Sequence, residues 1–353
     1  MKRIQLIVAY DGTNYCGWQL QLNGITIEEV LNKHLSELLQ EKIQVIGASR
    51  TDSGVHALGN VAVFDTETRI PADKICFALN QRLPEDIRIQ ASFEVAEDFH
   101  PRRCNSTKTY EYKILNRTFA LPCERLYSHF VYLPLDIEAM REAAAYLTGE
   151  HDFVSFCSAR SQAEDTYRTI YSIEVEKSGD RITITITGNG FLYNMVRIIV
   201  GTLMKVGLHV YPASHVQEIL FAKDRYAAGP KAPAVGLMLK EIEYEKELAE
   251  SVQVENEEGS YIVYQKELSQ TGNVYLEIAD YRQELLGRLL ERTARQAMRN
   301  GAKRLYVSAP EMLMESVSDG KLICAGEFIF KGCEEKTQRS VYTWVSDVEK
   351  QKK

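Results

Sequence analysis

The order of strand-like and helix-like segments constrains the fold of this chain more than any other feature of its sequence. Thr26 and Glu29 form a capping box, which predicts an amphipathic helix that continues to about Gln40. A second helix is predicted to begin at Pro71 and to continue to about Leu83. The strands predicted around these two helices are residues 3–10, 43–46, 61–64, 87–95 and 107–115. Such a mixture is typical of an α/β fold of the α+β type.

A second group of alternating segments follows the first. Asp136 caps a predicted helix that Gly149 closes. The other elements predicted here are a helix at about 191–206, a helix that begins at Pro212, and strands at 169–176, 181–187 and 237–244. We therefore expect two related sub-domains, about 1–115 and 116–245, with antiparallel-rich mixed sheets flanked by helices around a central cleft.

A change of composition near Lys246 predicts a domain boundary. With 353 residues, the chain has room for about two domains. Residues 246–259 are acidic and lack periodic structure, which is typical of a linker. The elements predicted after it are strands at 261–267, 274–279, 304–308, 322–330 and 341–345, and a helix at 283–300. Residues 260–347 are therefore expected to form a small accessory α/β domain.

The composition excludes several classes of protein. There is no run of about 18 apolar residues, so no membrane span is expected. The apolar N-terminal run is interrupted by Gln5 and stopped by Asp11, so it is interpreted as a first strand and not as a signal sequence. The seven cysteines are scattered and contain no C-x-x-C pair, which argues against a zinc site and a disulfide framework. A reducing cytoplasm fits this usage best.

The charge balance limits how the chain could bind a nucleic acid. The formal net charge is −7; residues 1–247 contain 27 basic and 32 acidic residues, and the rest contains 15 and 17. Neither part has the excess positive charge of a non-specific nucleic-acid binder. Any RNA or DNA site would have to be a local basic patch.

The polar segment 47–60 is the most informative candidate site. It carries Arg50, Asp52 and His56 between two apolar strand-like runs, a common position for functional loops. Asp-Ser-Gly is also ordinary turn chemistry, because Asp bonds its own backbone and Gly tolerates positive φ. From the residues alone, both a plain turn and a catalytic loop remain open.

Arg197 is the only formal charge between Arg181 and Lys205, and it falls in the middle of an apolar predicted helix. A guanidinium buried without a carboxylate costs several kcal/mol, so a buried Arg197 would require an acid. Asp52 is the leading candidate for that acid. Alternatively, Arg197 extends along the helix to solvent.

Two further stretches could contribute to a site. Residues 99–112 alternate cations with aromatic rings, a composition expected where phosphates are bound and an exposed base is stacked. These side chains are Phe99, Arg102, Arg103, Lys108, Tyr110 and Tyr112, with His100 among them. The alternative is an exposed loop that continues into an edge strand with amphipathic tyrosines. Residues 228–237 form a rigid loop that could line a pocket or end a helix.

Seven motifs occur in an order that resembles one known family. They are YDGTNYCGWQ (10–19), SRTDSGVHAL (49–58), ALNQRLPEDI (78–87), DFHPR (98–102), KTYEY (108–112), MVRIIVG (195–201) and AGPKAPAVGL (228–237). Together they resemble the tRNA pseudouridine synthase A (TruA) family over residues 1–245. The chain departs from the usual family pattern at Ser49, Ser53, Asn60 and Lys231, where Gly, Ala, Gln and Thr respectively are usual or common.

The resemblance implies the pseudouridine synthase fold and a homodimeric enzyme with RNA lying across basic clefts, without a metal or cofactor. It implies that Asp52 is the nucleophile, that Tyr110 contacts the target base and that Arg197 pairs with the aspartate. Arg50 matches the family arginine two residues before the aspartate, and Leu237 matches an apolar pocket wall. The implied substrate is uridine at positions 38, 39 and 40 of the tRNA anticodon arm. Arg102 and Lys108 are expected to bind this substrate.

The implied chemistry suits these residue types. The bond between uracil N1 and the ribose breaks, the base turns, and C5 is joined to the ribose instead. A base within a stem must first be flipped out, and stacking on a ring such as Tyr110 offsets part of the cost. The alternatives are a tRNA-binding or RNA-folding module without catalysis and a glycosidase-like hydrolase. Whether Asp52 attacks the ribose or the uracil ring, or mainly directs proton removal from the ribose, is left open by the sequence.

Residues 248–353 resemble no family in the same way. The arginines of the helix predicted there share one face: Arg288, Arg292, Arg295 and Arg299. This face could be an accessory RNA-contacting arm, or a solvated face with Glu284 and Glu291 nearby. A protein partner is a third alternative. The salt dependence of tRNA affinity, measured with residues 248–353 deleted, distinguishes the arm from the solvated face.

Overall fold

A computed structural model describes residues 1–158 and 165–244, and beyond them the backbones of six strands. The chain divides into two compact units, Met1–Glu245 and Lys246–Lys353. No helix in the described part is long and apolar enough to cross a membrane.

Among its described residues, 1–158 and 165–244, the first unit combines ten strands with five α-helices. The strands are β1 (Lys2–Tyr10), β2 (Ile46–Gly47), β3 (His56–Thr66), β4 (Ile87–Val95), β5 (Ser106–Asn116), β6 (His129–Val131), β7 (Gly149–Asp152), β8 (Tyr167–Ser178), β9 (Arg181–Gly188) and β10 (Leu237–Tyr244). The helices are α1 (Ile27–Leu39), α2 (Ala72–Asn80), α3 (Ile137–Ala145), α4 (Met195–Gly207) and α5 (His215–Ala222).

All ten strands belong to one sheet. Its order is β4-β1-β3-β10-β5-β9-β8-β7, with β2 paired to β3 and β6 paired to β5. The last strand, β10, lies parallel to β3 and antiparallel to β5. The predicted α/β fold with an antiparallel-rich mixed sheet and flanking helices is confirmed, but the two halves share one continuous sheet, because β10 fills the space between them.

Two hydrophobic cores flank this shared sheet, one for each half of the unit. The first packs α1 and α2 against β1, β3 and β4, and the second packs α3, α4 and α5 against β5, β8 and β9. In α1 the buried residues recur every fourth position: Ile27, Leu31, Leu35 and Leu39. Thr26 accepts a hydrogen bond from the Glu29 backbone N–H at 3.3 Å, which confirms the predicted helix start.

Some boundaries differ from the prediction in ways that affect the site. Of the predicted strand at 43–46, only Ile46 pairs with β3, and the pairing continues to Gly47. Strand β3 begins at His56. The polar loop is therefore residues 48–55, and His56 lies on a strand. The helix predicted from residue 191 begins at Met195, because Asn194 adopts a left-handed conformation with φ of 61°.

The second unit contains a separate six-stranded sheet. Its strands are β11 (Gln253–Glu257), β12 (Ser260–Lys266), β13 (Asn273–Asp280), β14 (Arg304–Pro310), β15 (Gly326–Glu334) and β16 (Arg339–Ser346), in the order β11-β12-β13-β14-β16-β15. Only the β13–β14 pair is parallel among these described strands. Part of the stretch predicted as a linker is thus the edge strand β11. The helix predicted at 283–300, with its arginine face, lies outside the described residues.

Candidate active site

Two loops of the first half pack together to position Asp52. The Val55 N–H donates to the Asp52 carbonyl at 3.1 Å, and Gly54 has a φ of 77°, so a tight turn follows Asp52. The Trp18 N–H donates to the Thr51 carbonyl at 3.0 Å. A Cβ at Gly17 would lie 2.6 Å from the same carbonyl oxygen, so only glycine allows this approach. The turn expected from Asp-Ser-Gly is present, and it presents the Asp52 side chain.

A fully buried asparagine binds the start of this loop. The Asn60 side chain accepts from the Ser49 N–H at 3.2 Å and donates to the Ser49 carbonyl at 3.1 Å. It also donates to the Tyr10 hydroxyl at 3.3 Å, and that hydroxyl shares a 2.7 Å hydrogen bond with the Thr51 hydroxyl. The Asn60 side chain thus makes the hydrogen bonds to the Ser49 backbone that a neighbouring strand would otherwise make. The Tyr10 hydroxyl holds Thr51 in place next to Asp52.

We expect Tyr10→Phe to lower the thermal unfolding midpoint by roughly 2–8 °C. The Thr51 hydroxyl would lose its buried partner, which costs about 1–2 kcal/mol, and each kcal/mol lowers the midpoint of a unit this size by about 2–4 °C. Thr51→Val alone should cost a similar amount. The double variant should cost little more than either, because both partners are then gone. Strictly additive midpoints by differential scanning calorimetry would contradict the pairing.

Arg197 is buried and pairs with Asp52. Its Nη1 lies 3.1 Å from Asp52 Oδ2, and its Nε donates to the Ala232 carbonyl at 2.7 Å. Nη1 also approaches the Asn194 side-chain oxygen at 3.4 Å. Arg197 is 8% exposed, so it does not extend to solvent. The Asp52 side chain keeps 22% exposure, so solvent reaches part of its carboxylate.

The loop 228–237 supports Arg197 from the other side. The Ala232 N–H donates to the Arg197 carbonyl at 3.0 Å, so Ala232 bonds both the backbone and the side chain of this arginine. A Cβ at Gly201 would lie 1.7 Å from the Pro230 carbonyl oxygen, which shows how closely the loop packs on α4. The loop therefore positions Arg197, while Lys231 is exposed.

The two tyrosines of β5 have different surroundings: Tyr110 contacts the Asp52 loop, and Tyr112 lies in the core. The Tyr110 hydroxyl lies 3.3 Å from the Ser49 hydroxyl, and its ring meets Phe191 edge-on at 5.3 Å between ring centroids. Burial, with a contribution from the charge of Asp52, raises the pKa of Tyr110 to about 12. Tyr112 is fully buried and donates to the Pro233 carbonyl at 2.9 Å. Leu237 lies opposite Tyr112 in the sheet and is 5% exposed, so both are core residues.

The cations predicted for this site are Arg50, Arg102 and Lys108, and Arg103 accompanies them in the sequence. Lys108 is half-buried, and its ammonium group donates to the Ala48 carbonyl at 3.3 Å. Arg50 and Arg102 are both exposed. Partial burial and the charge of the nearby Arg50 lower the pKa of Arg102. Arg103 is exposed as well. The charges of Arg50, Arg102 and Lys108 act on one another, so they form a local basic patch in a chain of net negative charge.

His56 serves the packing of the site. Its Nδ1 lies 3.1 Å from both the Asp11 carboxylate and the Gly12 N–H, and Tyr127 donates to the same carboxylate at 2.7 Å. His56 is 5% exposed. It therefore joins β3 to the loop after β1, four residues from Asp52, and connects both to Tyr127 of the second half.

The structure also adds residues that sequence reasoning missed. Tyr10, Asn60 and Asn194 are polar side chains that are at least nine-tenths buried, and each bonds to a site residue or to its neighbour. One sequence signal could have indicated Asn60, because it is a polar residue inside the apolar strand β3. Within the described residues, no group of three or more His, Cys, Asp or Glu side chains could hold a metal ion.

Comparison with known proteins identifies similar sequences. Residues 6–102 and 143–245 match the model of a family described as tRNA pseudouridine synthase. tRNA pseudouridine synthase A of Thermoanaerobacter sp. (strain X514) is 49% identical over 244 residues, which are 69% of this chain and 100% of that protein. The protein of the same name from Brevibacillus brevis is 48% identical, with the same coverage.

A solved structure entitled a Cbf5-Nop10-Gar1 complex is a much weaker match. It is 16% identical and covers 67% of this chain and 47% of that one, with a TM-score of 0.25, which is too low to support a comparison of folds. The sequence matches and the α/β fold define an isomerase of the pseudouridine synthase class. The chain belongs to the tRNA pseudouridine synthase family, and the family match ends at residue 245.

Proposed function

We propose that this protein converts uridine to pseudouridine in the anticodon stem-loop of tRNA, at positions 38, 39 and 40, with Asp52 as the catalytic carboxylate. The observation that carries this proposal is the pair formed by the accessible Asp52 carboxylate and the buried Arg197, 3.1 Å apart. The charge of Asp52 acts on Tyr110, and the Lys108 ammonium donates to Ala48, the first residue of the Asp52 loop. This is the chemistry that a flipped uridine requires.

The proposed reaction exchanges one bond to the ribose for another. The bond from ribose C1′ to uracil N1 breaks and its electron pair stays on the uracil, which turns while it is held in the pocket. C5 then bonds to C1′ and loses its proton, and N1 takes up a proton, so the product is an isomer of the substrate. The departing electrons spread over the uracil carbonyls, so the reaction does not need the acidic second carboxyl of most glycosidases. A single carboxylate at Asp52 is therefore sufficient for the proposal.

Arg197 orients this carboxylate in the proposed mechanism. Its guanidinium is already fixed by the Ala232 carbonyl and the Asn194 side chain, so it offers Asp52 a rigid donor. The arrangement costs no reorganisation when the substrate enters. Asp52 keeps one side of its carboxylate for the nucleotide, in agreement with its partial exposure.

Substrate binding is proposed to involve the residues around this pair. Tyr110 would stack on or contact the flipped base, and Arg50, Arg102 and Lys108 would bind the RNA backbone. Leu237 would form an apolar wall of the pocket, and its near-complete burial would keep that wall rigid.

We also propose a homodimer that works in the cytoplasm. Five cysteines of the described part are free thiols, which suits a reducing compartment. The second unit is proposed to contribute a further contact, to RNA or to a protein partner. If the protein is a homodimer, sedimentation equilibrium should give twice the chain mass of 40.2 kDa. An active enzyme that is monomeric would refute the homodimer.

A map of pseudouridines in tRNA from cells that lack this gene tests the proposed function. We expect pseudouridine to be lost at positions 38, 39 and 40 and to be restored by the intact gene. An unchanged map would contradict the proposal. Release of free uracil from tRNA by the purified protein would indicate a hydrolase instead.

A further inference from the structure

The Asp52 loop, residues 48–55, packs on the segment 12–18, which follows β1. A Cβ at Gly12 would lie 2.0 Å from the Val55 carbonyl oxygen, so the two backbones are in contact at the end of the loop. Backbone atoms of the segment also meet the loop at Thr51, directly before Asp52. The residues of the segment that make these contacts are Gly12, Tyr15, Gly17 and Trp18. Because the contacts lie on both sides of Asp52, a shift of the segment would displace the carboxylate.

The two ends of the segment 12–18 are held in different ways. The C-terminal end is bonded to the start of α1, because the Glu28 N–H donates to the Trp18 carbonyl at 3.0 Å. At the N-terminal end, the Gly12 N–H donates to His56 Nδ1 at 3.1 Å. His56 is the first residue of β3 and follows the loop directly. One side chain therefore connects the start of the segment to the strand that carries the loop.

Two neighbours determine which nitrogen of the His56 ring carries the proton. Nδ1 is 3.1 Å from both the Gly12 nitrogen and an Asp11 carboxylate oxygen, and it cannot accept from one and donate to the other. The carboxylate already accepts from the Thr13 N–H at 3.0 Å and from the Tyr127 hydroxyl at 2.7 Å. The Gly12 N–H is buried and requires an acceptor, and among the described residues that acceptor is His56. The bare nitrogen is therefore Nδ1, and the proton of the neutral ring is on Nε2.

The surroundings of the second nitrogen favour the neutral ring as well. His56 is 5% exposed, and its Nε2 is buried without a hydrogen-bond partner in the described part of the chain. A charged ring would bury its charge beside this unpaired N–H and would turn another N–H toward that of Gly12. The Asp11 carboxylate favours the charged ring, but it is 27% exposed and bonded to other donors, which weakens its effect.

We infer that His56 is a positioning residue for the reaction: as a neutral imidazole that accepts the Gly12 N–H at Nδ1, it holds the segment 12–18 against the Asp52 loop. The carboxylate of Asp52 thereby stays aligned with Arg197. This inference rests on the proposed function, because it takes Asp52 as the catalytic carboxylate. His56 acts through the loop and not on the substrate, so its loss should slow the chemical step without weakening tRNA binding.

Two uncharged polar substitutions test the position of the acceptor. In His56→Asn the side-chain oxygen can occupy the place of Nδ1, whereas in His56→Gln the amide is one bond longer and extends toward the place of Nε2. His56→Asn should keep most of the single-turnover rate of pseudouridine formation. His56→Gln should lower it by roughly 30- to 100-fold, the loss expected from a small misplacement of a reacting group. The dissociation constant for tRNA should be unchanged in both variants.

Asn80→Ala is the matched control for a loss of stability. The Asn80 side chain donates to the Ile89 carbonyl and accepts from the Ile89 N–H, both at 2.8 Å, where α2 packs on the outer strand β4. Its removal should lower the unfolding midpoint and leave the rate unchanged at a temperature well below every midpoint. The inference is overturned if His56→Gln is as fast as His56→Asn, or if Asn80→Ala slows the reaction as much as His56→Gln does.

The position of the ring proton is measured separately, by NMR of the full chain with ¹⁵N-labelled histidines. The signals that disappear in His56→Asn belong to His56. At the pH of the activity assay, Nδ1 should show the chemical shift of a bare ring nitrogen and Nε2 that of a protonated one. A proton on Nδ1 would mean that His56 donates to Asp11, and it would overturn the inference.

Hydrogen exchange tests the link between His56 and the loop without any reaction. The backbone amides of residues 12–18 and 48–55 should exchange faster in His56→Gln than in His56→Asn or Asn80→Ala. Equal exchange in the three variants would overturn the inference. The proposed function fails in a different way: an Asp52→Asn protein with the parent rate refutes the catalytic role of Asp52, whereas an inactive Asp52→Asn protein beside a fully active His56→Gln protein refutes this inference alone.

Discussion

Asp52→Asn is expected to lower the rate of pseudouridine formation by roughly 10⁴-fold or more, a loss between those typical of a general base and of a nucleophile. The amide keeps the size of the side chain and can still meet Arg197, but it carries no charge and is a poor nucleophile. The rate is measured in single-turnover experiments on a transcribed tRNA, with pseudouridine quantified in the nuclease digest.

Ser53→Ala is the matched control for this variant. Ser53 is exposed, adjacent to Asp52, and its hydroxyl donates to the Tyr15 carbonyl at 3.1 Å. We expect it to retain most of the activity. Both variants should stay folded and keep most of the tRNA affinity of the parent protein. Asp52→Asn should also lower the unfolding midpoint, because it leaves the buried Arg197 guanidinium without a carboxylate. An Asp52→Asn protein with a rate within tenfold of the parent would refute the catalytic role.

Arg197→Met is expected to lower the free energy of unfolding by about 3 kcal/mol, because it leaves the Asp52 carboxylate and the Ala232 carbonyl without their shared donor. This loss of unfolding free energy is at the low end of the range for breaking a buried ion pair, because Asp52 is partly exposed. The unfolding midpoint should fall by roughly 6–12 °C in scanning calorimetry. Activity should fall with it, because the carboxylate loses its orientation.

A double variant separates the charge effect from the packing effect. Asp52→Asn combined with Arg197→Met should be more stable than Arg197→Met alone, because the unpaired carboxylate is then absent. Arg197→Lys, which keeps the charge and loses the fork of donors, should be intermediate in stability. If the double variant is no more stable than the single one, the ion pair does not account for the effect of Arg197.

Much of this fold could be predicted from periodicity and capping. Thr26 and Asp136 start their helices as predicted, and both accept the expected backbone hydrogen bonds at the N-terminus. The strands at 87–95 and 237–244 have the predicted bounds. These signals involve residues that are close together in the chain, so a single sequence is enough to detect them. The short strands β6 and β7 carry too few residues to show any period.

Long-range features could not be predicted in the same way. Periodicity identified β10 as a strand, but it could not show that β10 lies between β3 and β5. The lone charge of Arg197 indicated a buried acid, and the family resemblance was needed to choose Asp52. Asn60 was recognised only as a departure from the family pattern, because its bonds to Ser49 depend on the loop geometry.

The central position of β10 has a consequence for how the protein is made. Translation produces β3 and β5 long before Leu237–Tyr244, so their facing edges lack their partner until nearly all of the first unit has been synthesised. Unpaired edges invite association with other chains, which makes a nascent chain of this length a natural client of chaperones. Asp52 likewise has no ion-pair partner until Arg197, 145 residues later in the chain, has been synthesised. A ribosome that stops early therefore releases a chain without an assembled active site.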